Sequence, residues 1–241
     1  MRQTSSQDQE RRGFQGLSGC WVLLVLGSTF VLAFEVPARL TLGYPARGLL
    51  REVDWVITGV LSVDMWLAWF HPHGVRGRGI GSLRGPASST RVLWFVLDLL
   101  AALPWQSFPL APVWSLVRLG KVARVAHQLQ AWQPSTRRLV LLREWGVFGV
   151  WGLLLTHWLA CGWLALGGVP TEADLVTQYV QALYWCISTL TTVGYGDMKA
   201  QTNAQMLYTI VAIGLALGLW GRVILQMTRL QAARQQRPYD G

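Results

Sequence analysis

Thr191-Thr192-Val193-Gly194-Tyr195-Gly196-Asp197 is the stretch on which the fold turns. Glycines two positions apart, at 194 and 196, tolerate backbone angles that a Cβ resists, so successive main-chain carbonyls of Thr192, Val193, Gly194 and Tyr195 can be turned to one side. Four such strands around an axis stack these oxygens into rings that replace the water shell of a dehydrated monovalent cation. The Thr192 hydroxyl would add the innermost ring. A single strand closes no ring, so this reading requires a homotetramer. An ordinary loop holding a Gly-Tyr-Gly turn is the competing account, and the surrounding sequence decides between them.

That surrounding sequence belongs to a membrane. Of 241 residues, 52% are hydrophobic and only 14% charged, a balance unlike that of soluble domains. The net charge of +9 would suggest nucleic acid in a soluble protein, but here the basic residues fall mostly between apolar runs, where they set orientation; no nucleic-acid partner is expected. Cys20, Cys161 and Cys186 lie in or beside apolar segments and read as small packing residues. Arg11-Arg12 and Leu17 to Cys20 imitate export signals, yet the long apolar run follows Cys20 and reads as a retained helix. No nucleophile with a base, phosphate loop or ligand cluster points to an enzyme. His71 and His73 flank a proline at a span end, where packing is the plainer reading than metal binding.

Apolar runs near 19–36, 53–70, 92–109, 112–131, 139–167 and 204–229 approach or reach the ~20 residues a membrane-crossing helix needs. The expected fold is therefore all-α, with six transmembrane helices plus a re-entrant helix, Val176 to Thr189, leading into the 191–197 stretch. Irregular backbone cannot face lipid, so that stretch must line a protein-enclosed pore. Arg2, Arg11 and Arg12, then Arg76, Arg78, Arg84 and Arg91, then Arg137, Arg138 and Arg143, and finally Arg229, Arg234 and Arg237 share one side. Both termini are thereby expected in the cytoplasm. Arg39, Arg47 and Arg51 oppose the rule and are expected beside headgroups. Residues 1–18 read as a mobile tail, 19–131 as a four-helix unit, 132–138 as a short linker with Pro134, 139–230 as the pore unit and 231–241 as a second tail.

Arg118, Lys121, Arg124 and His127 recur every third residue within an otherwise apolar run. On a helix this spacing makes a slowly winding stripe. Charge within a bilayer requires acidic partners or water, and Asp54, Asp64 and Asp98 are the countercharges, with Glu35 a further candidate. Two readings stand: a voltage sensor, and a static stripe of buried ion pairs. His127 is either a packed neutral ring or a titrating member of the stripe.

The chain from Gly19 to Leu230 resembles six-span channels of the superfamily that holds the voltage-gated and cyclic-nucleotide-gated channels. The 191–197 stretch resembles the potassium channel signature, whose Thr-Val-Gly-Tyr-Gly is the standard carbonyl-lined filter. Asp98-Leu99-Leu100-Ala101-Ala102-Leu103-Pro104 and His157-Trp158-Leu159-Ala160-Cys161 resemble the nucleotide-gated, pacemaker and ether-à-go-go branch. Ala182-Leu183-Tyr184-Trp185 precedes the filter entry as in such pores. The resemblance implies a K+ filter of Thr192, Val193, Gly194, Tyr195 and Gly196, supported by Thr191, Asp197, Tyr184 and Trp185. It implies K+ as permeant ion, no cofactor, and an inner-membrane homotetramer in contact with lipid. Departures accompany the matches. Gln231–Gly241 is too short for a β-roll, so no cyclic-nucleotide site is expected. Leu61 stands where related sensors often carry an aromatic plug. Tyr184 replaces a common tryptophan, although its hydroxyl can reach Asp197. Pacemaker relatives keep Gly-Tyr-Gly yet admit sodium, which leaves a weakly selective cation pore as the alternative; a non-conducting subunit is the remoter one.

No proline interrupts Asn203 to Arg237, so bending of the last span falls to Gly214, Gly218 or Gly221. Gly214 is the expected gate hinge. Glycines at this spacing also serve close helix packing.

Overall fold

The computed structural model describes residues 2–44, 48–70, 88–104, 115–131 and 137–235. These are helical or connecting residues, with no strand among them. Helix α1 runs Arg2–Leu42, α2 Leu49–Phe70 and α3 Ser88–Ala102; a 3-10 stretch, Ser115–Leu119, leads directly into α4, Gly120–Ala131. Then come α5, Arg137–Ala165, α6, Leu175–Leu190, and α7, Asn203–Gln235.

Residues expected as a mobile tail are instead the first turns of α1. They are polar, but Gln, Arg and Glu are good helix formers and no proline occurs before Pro37, so the helix of the apolar run propagates back to Arg2. The other end stops at Gly43, whose φ of +66° is the left-handed cap residue that lets its N–H bond the Arg39 carbonyl at 3.0 Å. Asp174 caps α6 by accepting from the Thr177 N–H at 3.2 Å and the Thr177 hydroxyl at 2.6 Å. A reciprocal box starts α7: the Gln205 N–H donates to the Thr202 hydroxyl oxygen at 3.2 Å while the Thr202 N–H donates to Gln205 Oε1 at 3.3 Å.

Among the described residues, three helical segments are long and apolar enough to cross a membrane: Cys20–Leu42, Glu144–Ala165 and Asn203–Thr228. Val92–Ala102 is apolar but shorter. Helix α2 carries Arg51, Glu52, Asp54 and Asp64, and α4 carries Lys121 and Arg124; their charges lower the hydropathy of helices whose remaining residues are largely apolar.

The chain forms two compact units, Met1–Trp145 and Gly146–Gly241. In the first, Leu32, Val36, Ile57, Leu61 and Ala101 make a buried cluster where α1, α2 and α3 meet. The second packs α5, α6 and α7 around Leu159, Ala160, Trp163, Ala182, Trp185, Cys186, Ala212 and Ala216. Small residues at these crossings allow close approach. Trp163 stacks on Trp185 at 3.8 Å between centroids, with 6° between the rings. A Cβ on Gly162 would strike the Tyr208 ring and hydroxyl; its absence lets that hydroxyl donate to the Leu159 carbonyl at 2.9 Å. Gly214, Gly218 and Gly221 meet nothing within 4 Å, so they do not serve close packing against the described residues of this chain, and α7 is continuous through all three.

Candidate ion pathway and charge network

Helix α6 delivers the chain into the 191–197 loop. Its last turn is held by the Thr191 N–H donating to the Ile187 carbonyl at 2.9 Å and the Thr192 N–H to Thr189 at 3.1 Å. The Gly194 N–H then reaches back to the Ser188 carbonyl at 3.0 Å. The backbone turns left-handed at every second residue: φ is +61° at Thr192, +55° at Gly194 and +77° at Gly196. Two of these three positions are glycine, as steric cost requires. Thr192 is the only non-glycine residue with positive φ among the described residues, an uncommon state for a β-branched side chain. Alternation of hand turns successive peptide units to a common direction, which is what a column of carbonyls demands. The α6 carbonyl terminus lies at the start of this loop, where its dipole favours a cation by about 1 kcal/mol.

Bracing comes from aromatic side chains. Tyr184, its ring parallel to that of Tyr195 at 6.1 Å between centroids and 3° apart, brings its hydroxyl toward Asp197. Its hydroxyl, chiefly, holds the Asp197 carboxyl below the usual aspartate range, and the Met198 N–H, donating at 3.0 Å, acts in the same direction. Trp185 points the other way, into the buried stack with Trp163. Trp220 of α7 donates its indole N–H to the Leu190 carbonyl at 2.9 Å, tying the last helix to the end of α6. Val193 and Tyr195 remain largely exposed, at 53% and 70%, as do Leu207, Ile210, Val211, Leu217 and Ile224 along α7.

In the first unit the three permanent cations of the stripe are buried and each has an acidic partner. Arg118, within the 3-10 stretch, donates from Nη1 to Asp54 Oδ1 at 2.8 Å, from Nη2 to the Thr58 hydroxyl at 2.5 Å and from Nε to the Ala101 carbonyl at 3.3 Å. Lys121 Nζ bridges Asp64 at 2.8 Å and Asp98 at 2.7 Å. Arg124 pairs with Asp98 and lies over the Trp69 ring, 5.8 Å from its centroid. Helices α2 and α3 thus supply all three countercharges from within the bundle. A 3-10 turn repeats every three residues and an α-helix every 3.6, so the junction at Gly120 aims Arg118 at Asp54 and Lys121 at Asp64 and Asp98.

Several participants escape sequence reasoning. Two indoles, Trp21 and Trp69, donate to Asp64 at 3.4 Å and Asp98 at 3.1 Å. Arg39, expected beside headgroups, instead reaches Glu35 and Asp54, each at 3.2 Å; the four-residue spacing from Glu35 is the signal for the first of these pairs. Buried His157 and Cys161 and half-buried Tyr179 form a chain, with Nδ1 2.6 Å from the tyrosine hydroxyl and Nε2 3.6 Å from the sulfur. The side chain of His127, residues His71 and His73, and Pro134 lie outside the described residues.

The family model described as "Ion channel" matches residues 150–231. The potassium channel AKT2/3 of Arabidopsis thaliana is 28% identical over 254 residues, covering 92% of this chain and 31% of that protein. The potassium voltage-gated channel unc-103 of Caenorhabditis elegans is 25% identical over 187 residues, with 61% and 22% covered. The Drosophila melanogaster potassium voltage-gated channel protein eag is 24% identical over 260 residues, with 87% and 21% covered. The chain is thus similar to potassium channels along most of its length, and its residues 150–231 match the ion-channel family model. It is an integral, multi-pass membrane protein, and it spans about a third or less of the length of these relatives.

Proposed function

We propose that the chain is the subunit of a homotetrameric, potassium-selective channel with both termini cytoplasmic, whose opening is biased by membrane voltage through α4. One observation carries the pore reading: left-handed backbone at Thr192, Gly194 and Gly196 in alternation, directly after a helix whose negative end meets the loop. Ions pass in single file between rings of main-chain carbonyls from Thr192 to Tyr195, with the Thr192 hydroxyl as the innermost ring. Tyr184, whose hydroxyl lies toward Asp197 and whose ring stacks on Tyr195, braces the strand. The exposed apolar face of α7 and the uncovered Val193 and Tyr195 are surfaces that three further copies would bury. K+ is the permeant ion.

Voltage acts on the stripe with about 2.3 kcal/mol per elementary charge per 100 mV. Buried pairing of Arg118, Lys121 and Arg124 with acids on α2 and α3 gives α4 and the 3-10 stretch before it, moving together, successive resting places for their cations, with Gly214 as hinge in α7. Purified protein in planar bilayers under a potassium gradient tests both halves. The expected reversal potential follows K+ and ignores Na+, and open probability changes with voltage. Reversal midway between the two ions overturns selectivity, and a flat open probability overturns voltage bias.

A further inference from the structure

Asp54 is shared. Arg118 takes its Oδ1 at 2.8 Å and Arg39 takes its Oδ2 at 3.2 Å, so one buried carboxylate divides its oxygens between guanidinium groups on two different helices. Only one of those helices carries the stripe. Arg39 stands on α1, and its Nε is anchored to Glu35, one turn back on the same helix, at 3.2 Å. At Asp64 and Asp98 the ion pairs seen among the described residues are with Lys121 and Arg124, both on α4.

We propose that Arg39 is a resident counter-cation that stands in for Arg118 at Asp54 and so sets the balance between the positions available to α4; this rests on the voltage reading above. A carboxylate buried without a partner is strongly unfavourable. When α4 shifts and Arg118 leaves, Asp54 keeps a cation because Arg39 stays. While Arg118 is in place, the two guanidinium groups repel across one acceptor. Both effects favour the arrangement in which Arg118 has departed. Arg39 is a positioning residue: it acts on the stripe through Asp54, and being on α1 it carries no gating charge.

Full-length Arg39→Gln, recorded in bilayers beside wild type, tests this. The expected result is a shift of the voltage midpoint toward the state with a stripe cation at Asp54. Its size corresponds to about a tenfold change in the ratio of the two states, the scale of one hydrogen bond to a charged group, with unchanged steepness. Arg39→Lys restores most of the midpoint, and in an Asp54→Asn background the shift vanishes. If Arg39→Gln does not assemble, Arg39→Met, which keeps the packing of the stem, carries the same expectation. An unmoved midpoint, a shift that persists without Asp54, or a steepness reduced as in Arg118→Gln overturns the role of Arg39. Wild-type current that ignores voltage overturns the voltage reading instead.

Discussion

Asp98 serves three side chains: Lys121 donates to it at 2.7 Å, the Trp69 indole at 3.1 Å, and Arg124 forms an ion pair with it. Asp98→Asn removes one charge from a buried cluster that is neutral when Asp64 and Asp98 face Lys121 and Arg124, leaving an excess of one positive charge. Removing one partner of a buried pair costs roughly 3–5 kcal/mol. At about 2–4 °C per kcal/mol for a chain of this size, the melting temperature falls by roughly 10 °C. Asp54→Asn should cost less, because Arg118 keeps the Thr58 hydroxyl and the Ala101 carbonyl and Arg39 keeps Glu35. The assay is thermal unfolding of detergent-solubilised protein followed by tryptophan fluorescence. In Asp98→Asn combined with Lys121→Gln, Asp64 and Arg124 again balance, so the double variant should lose less than the sum of the singles by about 1 kcal/mol or more. An Asp98→Asn protein melting within about 3 °C of wild type, or strict additivity in the double variant, would refute a dry, mutually dependent cluster.

Neutralising Arg118, Lys121 and Arg124 together to Gln should flatten the voltage dependence while sparing K+ over Na+ selectivity; three charges crossing the whole field represent roughly 7 kcal/mol per subunit per 100 mV, and unchanged steepness would contradict the sensor role. Gly194→Ala places a Cβ on a residue at φ +55°, costing about 1–2 kcal/mol per subunit; a protein that assembles but passes no K+ is expected, and bilayer currents equal to wild type would count against the carbonyl column. Tyr184→Phe removes the main cause of the lowered Asp197 pKa. A depressed carboxyl contributes its bracing in full above its unfolded value of about 3.9 and loses it as pH falls through the folded value. Conduction should therefore be stable from neutral pH down to about 4 in wild type. In Tyr184→Phe, currents should decay faster at neutral pH and acid collapse should begin at a higher pH, whereas identical decay in the two proteins would remove the brace.

The reach of sequence reasoning differs between the two units. Thr191–Asp197 was legible because its constraint is local: glycine at alternate positions is demanded by backbone hand, whichever neighbours surround it, and the structure has positive φ at Gly194 and Gly196. Positive φ at Thr192 was not legible, since a β-branched residue gives no sign of tolerating that state; in the structure it accompanies the hydrogen bonds that close the end of α6. The boundaries of α6, Leu175–Leu190, fall within a residue of those read from the apolar run. For the stripe, three-residue spacing nominated Arg118, Lys121 and Arg124, and the scarcity of acids in apolar helices nominated Asp54, Asp64 and Asp98. Which acid meets which cation depends on helix rotation and on the 3-10 to α junction at Gly120, and neither leaves a trace in spacing.

By itself the sequence determined the chemistry that cannot be placed elsewhere. Charges in a low-dielectric bundle must find opposite charges, and glycines at alternate positions permit the left-handed backbone found at 194 and 196. Tertiary structure alone decided that Arg39 shares Asp54 with Arg118, that indoles rather than an aromatic at position 61 attend Asp64 and Asp98, and that Tyr184 stacks on Tyr195 while Trp185 stacks inward on Trp163. Those choices follow from which helix faces which across a few ångströms, a distance that spacing along one chain does not encode.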